Sequence, residues 1–378
     1  MPFKEDLILM ITESVYSQID EKRLTGISKR ILQTEEGAMI RWTCEPIGLK
    51  ARNFVTDGVY RVSGTNEVKG KVREWTVILK IVLADPNRSD PSHYNYWRRE
   101  AMVYESGLLE HLPEGFQAPA CYGIDEQADG SVWLWLEEMP HESKGWELED
   151  YAFAAKKLGA FHAVYLLGKA LPEYPCINRG WMRSWIRECQ KYRSLNVEPI
   201  ARDPAVSRHG LASLLDKFAA LETSLPEWID ALERLPRTFS HQDYYEANIL
   251  FSRNRLRAGS LALIDWQFAS ISGVGEDLGR FFGLSVSRGQ IQPESGRDLR
   301  EQFLSSYIEG LREAGWHGDE MLPRFGFLAA FALRSVWEVP KLLQKLKQDS
   351  TSPQCGKLAL IAEMQMEAAA EAEVILRR

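Results

Sequence analysis

Ser240-His241-Gln242-Asp243-Tyr244-Tyr245-Glu246-Ala247-Asn248-Ile249-Leu250-Phe251 is followed, after a polar stretch, by Leu261-Ala262-Leu263-Ile264-Asp265-Trp266. The apolar runs 248–251 and 261–264 each have the length of a short strand. Ser252 to Ser260 between them, with Asn254, Arg255 and Gly259, has the composition of a connecting loop. Pairing the runs as a hairpin sets Asn248, at the entry of one strand, beside Asp265, at the exit of the other. With Asp243 just upstream, an amide oxygen and two carboxylates then converge on one open edge. Such hard oxygen groups suit a magnesium–phosphate site better than a zinc site.

The rest of the chain limits what this edge belongs to. Its 378 residues are enough for two lobes with a large core. Apolar residues make up 45% and charged residues 26%, as in ordinary globular proteins, and the formal charge of −7 argues against a nucleic-acid partner. No run approaches the ~18 apolar residues of a membrane span. The acidic start, Met1-Pro2-Phe3-Lys4-Glu5-Asp6, is unlike an export signal, so a cytoplasmic protein is expected. Cys44, Cys121, Cys176, Cys189 and Cys355 are scattered and odd in number, as expected of reduced structural thiols.

Leu7, Ile8, Ile11, Val15 and Ile19 have helical spacing. From Gly37 the pattern becomes strand-like: Ala38 to Cys44, Gly58 to Val62 and Trp75 to Leu83, with turns expected at Gly64, Asn66 and Gly70. Lys80 lies inside the third of these runs. A lysine with apolar neighbours on both sides needs an anion, unless it sits on an edge strand and reaches back to water. Pro91-Ser92 reads as a helix start, after which Trp97, Ala101, Tyr104 and Leu108 form an apolar stripe with Glu100 at its border. Glu100 either pairs with Arg98 or Arg99 at the surface or meets Lys80, and only the second accounts for both awkward positions. Ser131 to Pro140 reads as a last strand, and beyond Gly145 the chain is helical almost to its end.

The larger part reads as helices marked by Tyr151, Ala154, Leu158, Phe161 and Tyr165, by Trp181, Trp185, Ile186 and Tyr192, and over 211–234, 297–314, 320–346 and 355–376. A loop is expected over 196–210. His162 has no second ligand on its helix face and reads as a packed or capping histidine.

His241-x-Asp243-x-x-x-x-Asn248 followed by Ile264-Asp265-Trp266 resembles the catalytic and metal motifs of the aminoglycoside phosphotransferase and choline kinase-like family, whose fold is similar to that of protein kinases. Leu158-Gly159-Ala160-Phe161-His162 and Asp277-Leu278-Gly279 resemble two further family segments. The resemblance covers most of the chain. It implies an α+β, bilobal protein kinase-like fold, with a small antiparallel β-rich N-lobe over 1–138 and a larger, mostly helical C-lobe over 139–378. It makes Lys80 the phosphate-binding lysine, Glu100 its helix partner, and Glu137-Glu138-Met139 the hinge that holds the base through backbone groups. Asp243 becomes the catalytic residue, and Asn248 and Asp265 become Mg2+ ligands. His241 is expected to brace the loop and Trp266 to pack beneath it. The implied donor is ATP (or GTP), and the partner is a small hydroxylated acceptor, with the chain a monomer or homodimer. The phosphate-covering loop, Arg52 to Gly58, departs from the kinase pattern in having a single glycine.

Two other functional classes remain in view. A metal-dependent hydrolase would use His241 and Asp243 as ligands, yet the other six histidines are dispersed. A non-catalytic nucleotide-binding pseudokinase would normally have lost one of Lys80, Asp243, Asn248 and Asp265, and all are present. For the acceptor, the resemblance offers antibiotics, amino alcohols, sugars and amino acids. Tyr244, Tyr245, Glu246, Trp181, Trp185, Glu276, Trp337 and Glu338 either supply aromatic faces and carboxylates for a cationic amine or simply pack helices and face solvent.

Overall fold

A computed structural model describes residues 15–47, 55–140, 145–196, 210–251 and 260–378. Most of the N-terminal helical pattern, through Leu7, Ile8 and Ile11, lies outside these residues, as do Arg52 to Phe54 of the phosphate-covering loop and residues 252–259 of the hairpin loop.

The fold is α+β, and the chain divides into two compact units. The first comprises Met1–Asp90, Trp97–Leu112 and Gln117–His141, and the second Pro91–Tyr96, Pro113–Phe116 and Glu142–Arg378. The first unit holds helix α1 (Glu21–Leu32), strands β1 (Ala38–Pro46), β2 (Thr56–Val68) and β3 (Lys71–Val82), helix α2 (Arg99–Glu105), and strands β4 (Cys121–Glu126) and β5 (Val132–Leu136). The strands form one sheet in the order β1-β2-β3-β5-β4, with every neighbouring pair antiparallel.

Alternation along β3 explains the sheet's two faces. Val77, Leu79 and Ile81 pack into a cluster with Leu24 and Ile27 of α1. Ile78 and Val82 face the other way, into a cluster with Ala101 of α2. Lys80 shares the parity of this second face.

Strand β2 is longer than its sequence suggested. Gly64 and Asn66, expected in a turn, lie inside it, and only Gly70 turns the chain, with φ 73° after Lys69 at φ 52°. Both residues belong to the strand because of Trp75 on β3. A Cβ on Gly64 would collide with the indole ring. Asn66, fully buried, accepts a 2.7 Å hydrogen bond from Trp75 Nε1 and donates one of 2.9 Å to Ser28 Oγ of α1. The polar side chain that signals a turn here satisfies the core instead.

The second unit is mostly helical. It holds α3 (Leu148–Leu166), α4 (Trp181–Asn196), α5 (Ala212–Arg234), α6 (Glu276–Ser287), α7 (Gly296–Glu313), α8 (Met321–Leu333), α9 (Ser335–Gln348) and α10 (Pro353–Leu376). Two small antiparallel pairs lie between α5 and α6. Strand β6 (Arg237–Ser240) pairs with β9 (Ser270–Gly273), and β7 (Ile249–Leu250) with β8 (Leu261–Leu263). The helix expected over 320–346 is two helices. They meet at Arg334, where the bonds Arg334 N to Phe331 O and Trp337 N to Arg334 O tighten the junction to i→i+3 spacing. Pro91-Ser92 starts no helix; α2 begins only at Arg99.

Helix α6 is not among the helices expected from the sequence, and its residues from Glu276 to Val286 are all buried. Glycines let its neighbours come close. A Cβ on Gly279 would strike the Phe327 carbonyl of α8. One on Gly159 of α3 would strike the Tyr307 carbonyl of α7, and one on Gly310 of α7 the Lys156 carbonyl of α3. The glycines of the two motifs, Leu158-Gly159 and Leu278-Gly279, are thus sites of backbone-to-backbone packing.

Candidate active site

In the first unit, Lys80 is paired with Val59 of β2 on one side and Leu134 of β5 on the other. It therefore stands on an interior strand, which rules out the edge-strand explanation. Its Nζ lies 2.5 Å from Glu100 Oε2 of α2, with the side chains 8% and 3% exposed. The parity of β3 and the position of Glu100 in the first turn of α2 make this contact. Where β5 ends, Glu137 N donates to Ala120 O at 2.8 Å, and Glu138 pairs with Arg61 at 2.5 Å. Met139 is buried.

In the second unit the hairpin forms as its sequence implies. Ile249 opposes Leu263, and Ile264 N donates to Asn248 O at 3.0 Å, which brings Asn248 alongside Asp265. Asn248 Nδ2 donates to Asp243 Oδ2 at 2.8 Å and to the Asp243 carbonyl at 2.9 Å. The amide nitrogen is thereby committed, and the amide oxygen points away from Asp243. Gln242 (φ 61°) and Asp265 (φ 64°) both take the left-handed conformation. Such backbone costs a side-chain-bearing residue roughly 1 kcal/mol and is held only where the surroundings over-determine it.

Those surroundings can be named. Asp277, fully buried at the start of α6, accepts the backbone N–H groups of His241 and Gln242 at 2.8 and 2.9 Å. Burial pushes its pKa up to about 6, against the pull of these two bonds. His241 Nε2 lies 3.0 Å from the Ile264 carbonyl, and its Nδ1 accepts from Asp243 N at 3.3 Å. A carbonyl can only accept, so Nε2 carries the proton and both ring nitrogens are engaged. His241 is the expected brace, and this geometry removes it as a metal ligand for a hydrolase. Trp266 packs beneath, 4.6 Å from the His241 ring and stacked on Phe239. His162 is packed, as expected. Its Nδ1 is 2.7 Å from Tyr307 Oη, its Nε2 is 3.9 Å from Asp277 Oδ2, and burial pushes its pKa down to about 3.

Asp243 is 6% exposed. Burial raises its pKa, with the nearby Asp265 carboxylate adding to the effect, while Arg280, Arg288 and the Asn248 amide draw it back. A carboxylate so destabilised is a stronger base than one in water. A divalent cation fits beside it. The Asn248 amide oxygen and the Asp265 carboxylate are hard donors, and two carboxylates acting on one another call for positive charge. Among the described residues no group of three or more His, Cys, Asp or Glu is placed to hold a metal ion, so any cation would complete its shell from outside the chain.

Most of the residues considered for a cationic amine are already engaged; Glu246 is the exception, its two buried carboxylate oxygens having no hydrogen-bond partner among the described residues. Tyr244 is buried and donates to the Ala154 carbonyl at 2.9 Å. The face of Trp181 carries the Arg280 guanidinium, 4.0 Å from the ring centroid, and that of Tyr245 carries Arg288 at the same distance. Glu276 accepts from Gly273 N at 2.5 Å, and Glu338 pairs with Arg334 at 2.8 Å. Trp337 is 37% exposed and lies against Tyr192. Sequence reasoning passed over Arg280. Its signal was the one that exposed Lys80: a charge inside an apolar run, here Leu278-Gly279-Arg280-Phe281-Phe282. All five cysteines are free thiols, and no helix among the described residues is long and apolar enough to cross a membrane.

The sequence matches the phosphotransferase enzyme family over residues 65–321. No curated protein matches it. Among solved structures it is similar to the amicoumacin kinase hAmiN in complex with AMP-PNP, Ca2+ and Ami, with a TM-score of 0.53 and 12% identity over 95% of this chain and 96% of that one. It is also similar to a choline/ethanolamine kinase family protein from Mesorhizobium loti, with a TM-score of 0.46 and 15% identity over 95% of each chain. A variant of aminoglycoside 2'-phosphotransferase-IIIa with GDP gives 0.49 and 15% over 92% and 98%. Of the three, the first passes 0.5, and it shows the fold to be that of a small-molecule kinase.

Proposed function

Because the chain belongs to the phosphotransferase enzyme family, we propose that it transfers the γ-phosphate of ATP to a hydroxyl group of a small molecule, with Asp243 as the residue that receives the hydroxyl proton. The observation that carries this reading is the buried Asp243 carboxylate, held by one bond from Asn248 to its Oδ2 and a second to its backbone carbonyl, and flanked by Asp265. AMP-PNP in the amicoumacin kinase favours an adenine nucleotide as donor, with GTP the alternative that the GDP complex of the aminoglycoside enzyme keeps open.

Phosphoryl transfer asks for position and charge rather than for covalent work by the protein. Asp243 orients the acceptor hydroxyl and takes its proton as the bond to phosphorus forms. Its raised basicity serves that step, and the Asn248 bond to Oδ2 leaves Oδ1 as the oxygen that faces the acceptor. Asn248 and Asp265 hold Mg2+, which when bound neutralises phosphate oxygens. Lys80, kept in place by Glu100, binds the inner phosphates. Glu137 N donates to Ala120 O, so the Glu137 carbonyl and backbone groups of Glu138 and Met139 would hold the base.

The test is an ATP-dependent phosphate-transfer screen over amines, sugars, hydroxy acids and antibiotics, with Asp243→Asn as control. Loss of transfer in this variant, with Mg-ATP binding kept, is expected. Turnover that survives the substitution would falsify the assignment.

A further inference from the structure

Arg280 is 3% exposed, yet among the described residues no carboxylate accepts a hydrogen bond from it. Its Nε donates to the Gln242 carbonyl at 2.5 Å and its flat face lies on Trp181. Among the described residues its ion pair is with Asp243 Oδ1, at 4.0 Å, too long for a hydrogen bond. Buried Nη1 has no hydrogen-bond partner among the described residues. A second buried arginine, Arg334, lies near enough to oppose Arg280's charge. Gln242, whose carbonyl accepts that Nε bond, has a fully buried side chain whose Oε1 and Nε2 also have no partner among the described residues. Buried polar groups are ordinarily satisfied, and a desolvated guanidinium left with open N–H groups is costly. Two residues in contact with one another thus carry buried polar atoms that the described residues leave unsatisfied, one of them 4.0 Å from the Asp243 carboxylate, on a backbone that the Asp277 strap holds in place.

We infer that Arg280 and Gln242 form an acceptor subsite for a carboxylate, so that the hydroxyl compound phosphorylated at Asp243 carries an acid group close to that hydroxyl. This rests on the proposed function and names its substrate class. The planar guanidinium presents two nitrogens in the fork that matches a carboxylate. Nη2 stands 4.0 Å from the oxygen that receives the proton, so a group bound at the fork belongs to the same small molecule as the reacting hydroxyl. Gln242 offers a further donor to the same group. Arg288, which donates to Tyr245 Oη at 2.6 Å, adds positive charge near Asp243. A cationic acceptor would meet two arginines where an aromatic face was expected.

The experiment compares glycerate and gluconate with their amides and with the matching amino alcohols. Binding is measured by titration calorimetry in the presence of Mg-ADP, and phosphate transfer by phosphorus NMR with Mg-ATP. Carboxylates are expected to bind roughly tenfold or more tightly than their amides, the step that one charge-assisted bidentate pair supplies. Arg280→Lys, which keeps the charge but not the fork, should shrink that preference to about threefold or less, and Arg280→Gln should abolish it. Thermal melts of both variants confirm that they fold. Equal or tighter binding of the amides or amino alcohols overturns the inference, and so does a carboxylate preference that survives in Arg280→Gln. Binding requires no turnover, so a failure of phosphate transfer, which bears on the proposed function, is distinguishable from a failure of the anion subsite.

Discussion

Replacing Lys80 by methionine removes one half of a buried ion pair whose charged atoms are 2.5 Å apart. At an effective dielectric constant of ~20, that separation corresponds to about 7 kcal/mol of gross attraction. Desolvation of both partners consumes much of it, and the measurable quantity is the loss when one partner is removed, typically ~3–5 kcal/mol. Lys80→Met and Glu100→Gln should each lower unfolding stability by about that amount in urea melts, because each strands a polar group on a covered sheet face. The double variant should recover to within ~2 kcal/mol of the parent, since a neutral pair of similar size replaces the ions. Catalysis should not follow stability. Lys80→Met and the double variant should both lose on the order of 10²–10³ in kcat/KM for ATP, as when one preorganised cationic donor is removed from a transferring group. Return of activity along with stability in the double variant would show that Lys80 serves the fold alone, and the phosphate-binding assignment would be wrong.

Three more expectations follow from the geometry. His241→Ala should reduce kcat roughly 10- to 100-fold by loosening the loop that carries Asp243, without changing the acid limb of the pH–rate profile; a displaced acid limb would make His241 a titrating participant. Gly159→Ala adds helix propensity worth ~1 kcal/mol but drives a methyl group into the Tyr307 carbonyl; net destabilisation of ~1–3 kcal/mol is expected, and a raised melting temperature would contradict the close helix crossing. Burial raises the pKa of Glu276 from 4.5 to about 7. The folded state then binds this proton more tightly than the unfolded one, so the contribution is full below about 4.5 and is lost as pH rises through about 7. Glu276→Gln should therefore gain on the parent over that window, by at most ~3 kcal/mol, in denaturation midpoints measured from pH 4 to 8. A gap that narrows with rising pH would refute the argument.

Much of the site could be read along the chain because its parts are local. Asp243, Asn248 and Asp265 lie on one hairpin, and the pairing that unites them follows from two apolar runs and the loop between them. Lys80 and Glu100 could be matched because each broke the pattern of its own element, a charge where an apolar residue was due. The turn expected at Gly64 and Asn66 failed for a tertiary reason: Trp75 lies across the neighbouring strand and needs a partner for its N–H. Helix α6 was missed although its apolar residues keep helical spacing, and what the spacing could not show is that the fold also buries its charged Glu276, Asp277 and Arg280.

The sequence alone determined the chemistry on offer: which oxygens and which lysine stand in positions that suit magnesium and phosphate better than zinc. Residue types and short spacings suffice for that, because ligand hardness and strand alternation are local properties. Only the tertiary structure decided the condition of those groups. It put Lys80 on an interior strand, fixed the His241 proton on Nε2, and strapped the catalytic loop to Asp277. It also laid Arg280 across Trp181 beside Asp243, filling with the chain's own cation a place where the sequence allowed a substrate's. Those outcomes depend on desolvation and on contacts between residues from 21 positions apart, Val59 and Lys80, to 99 apart, Trp181 and Arg280, which no local pattern encodes.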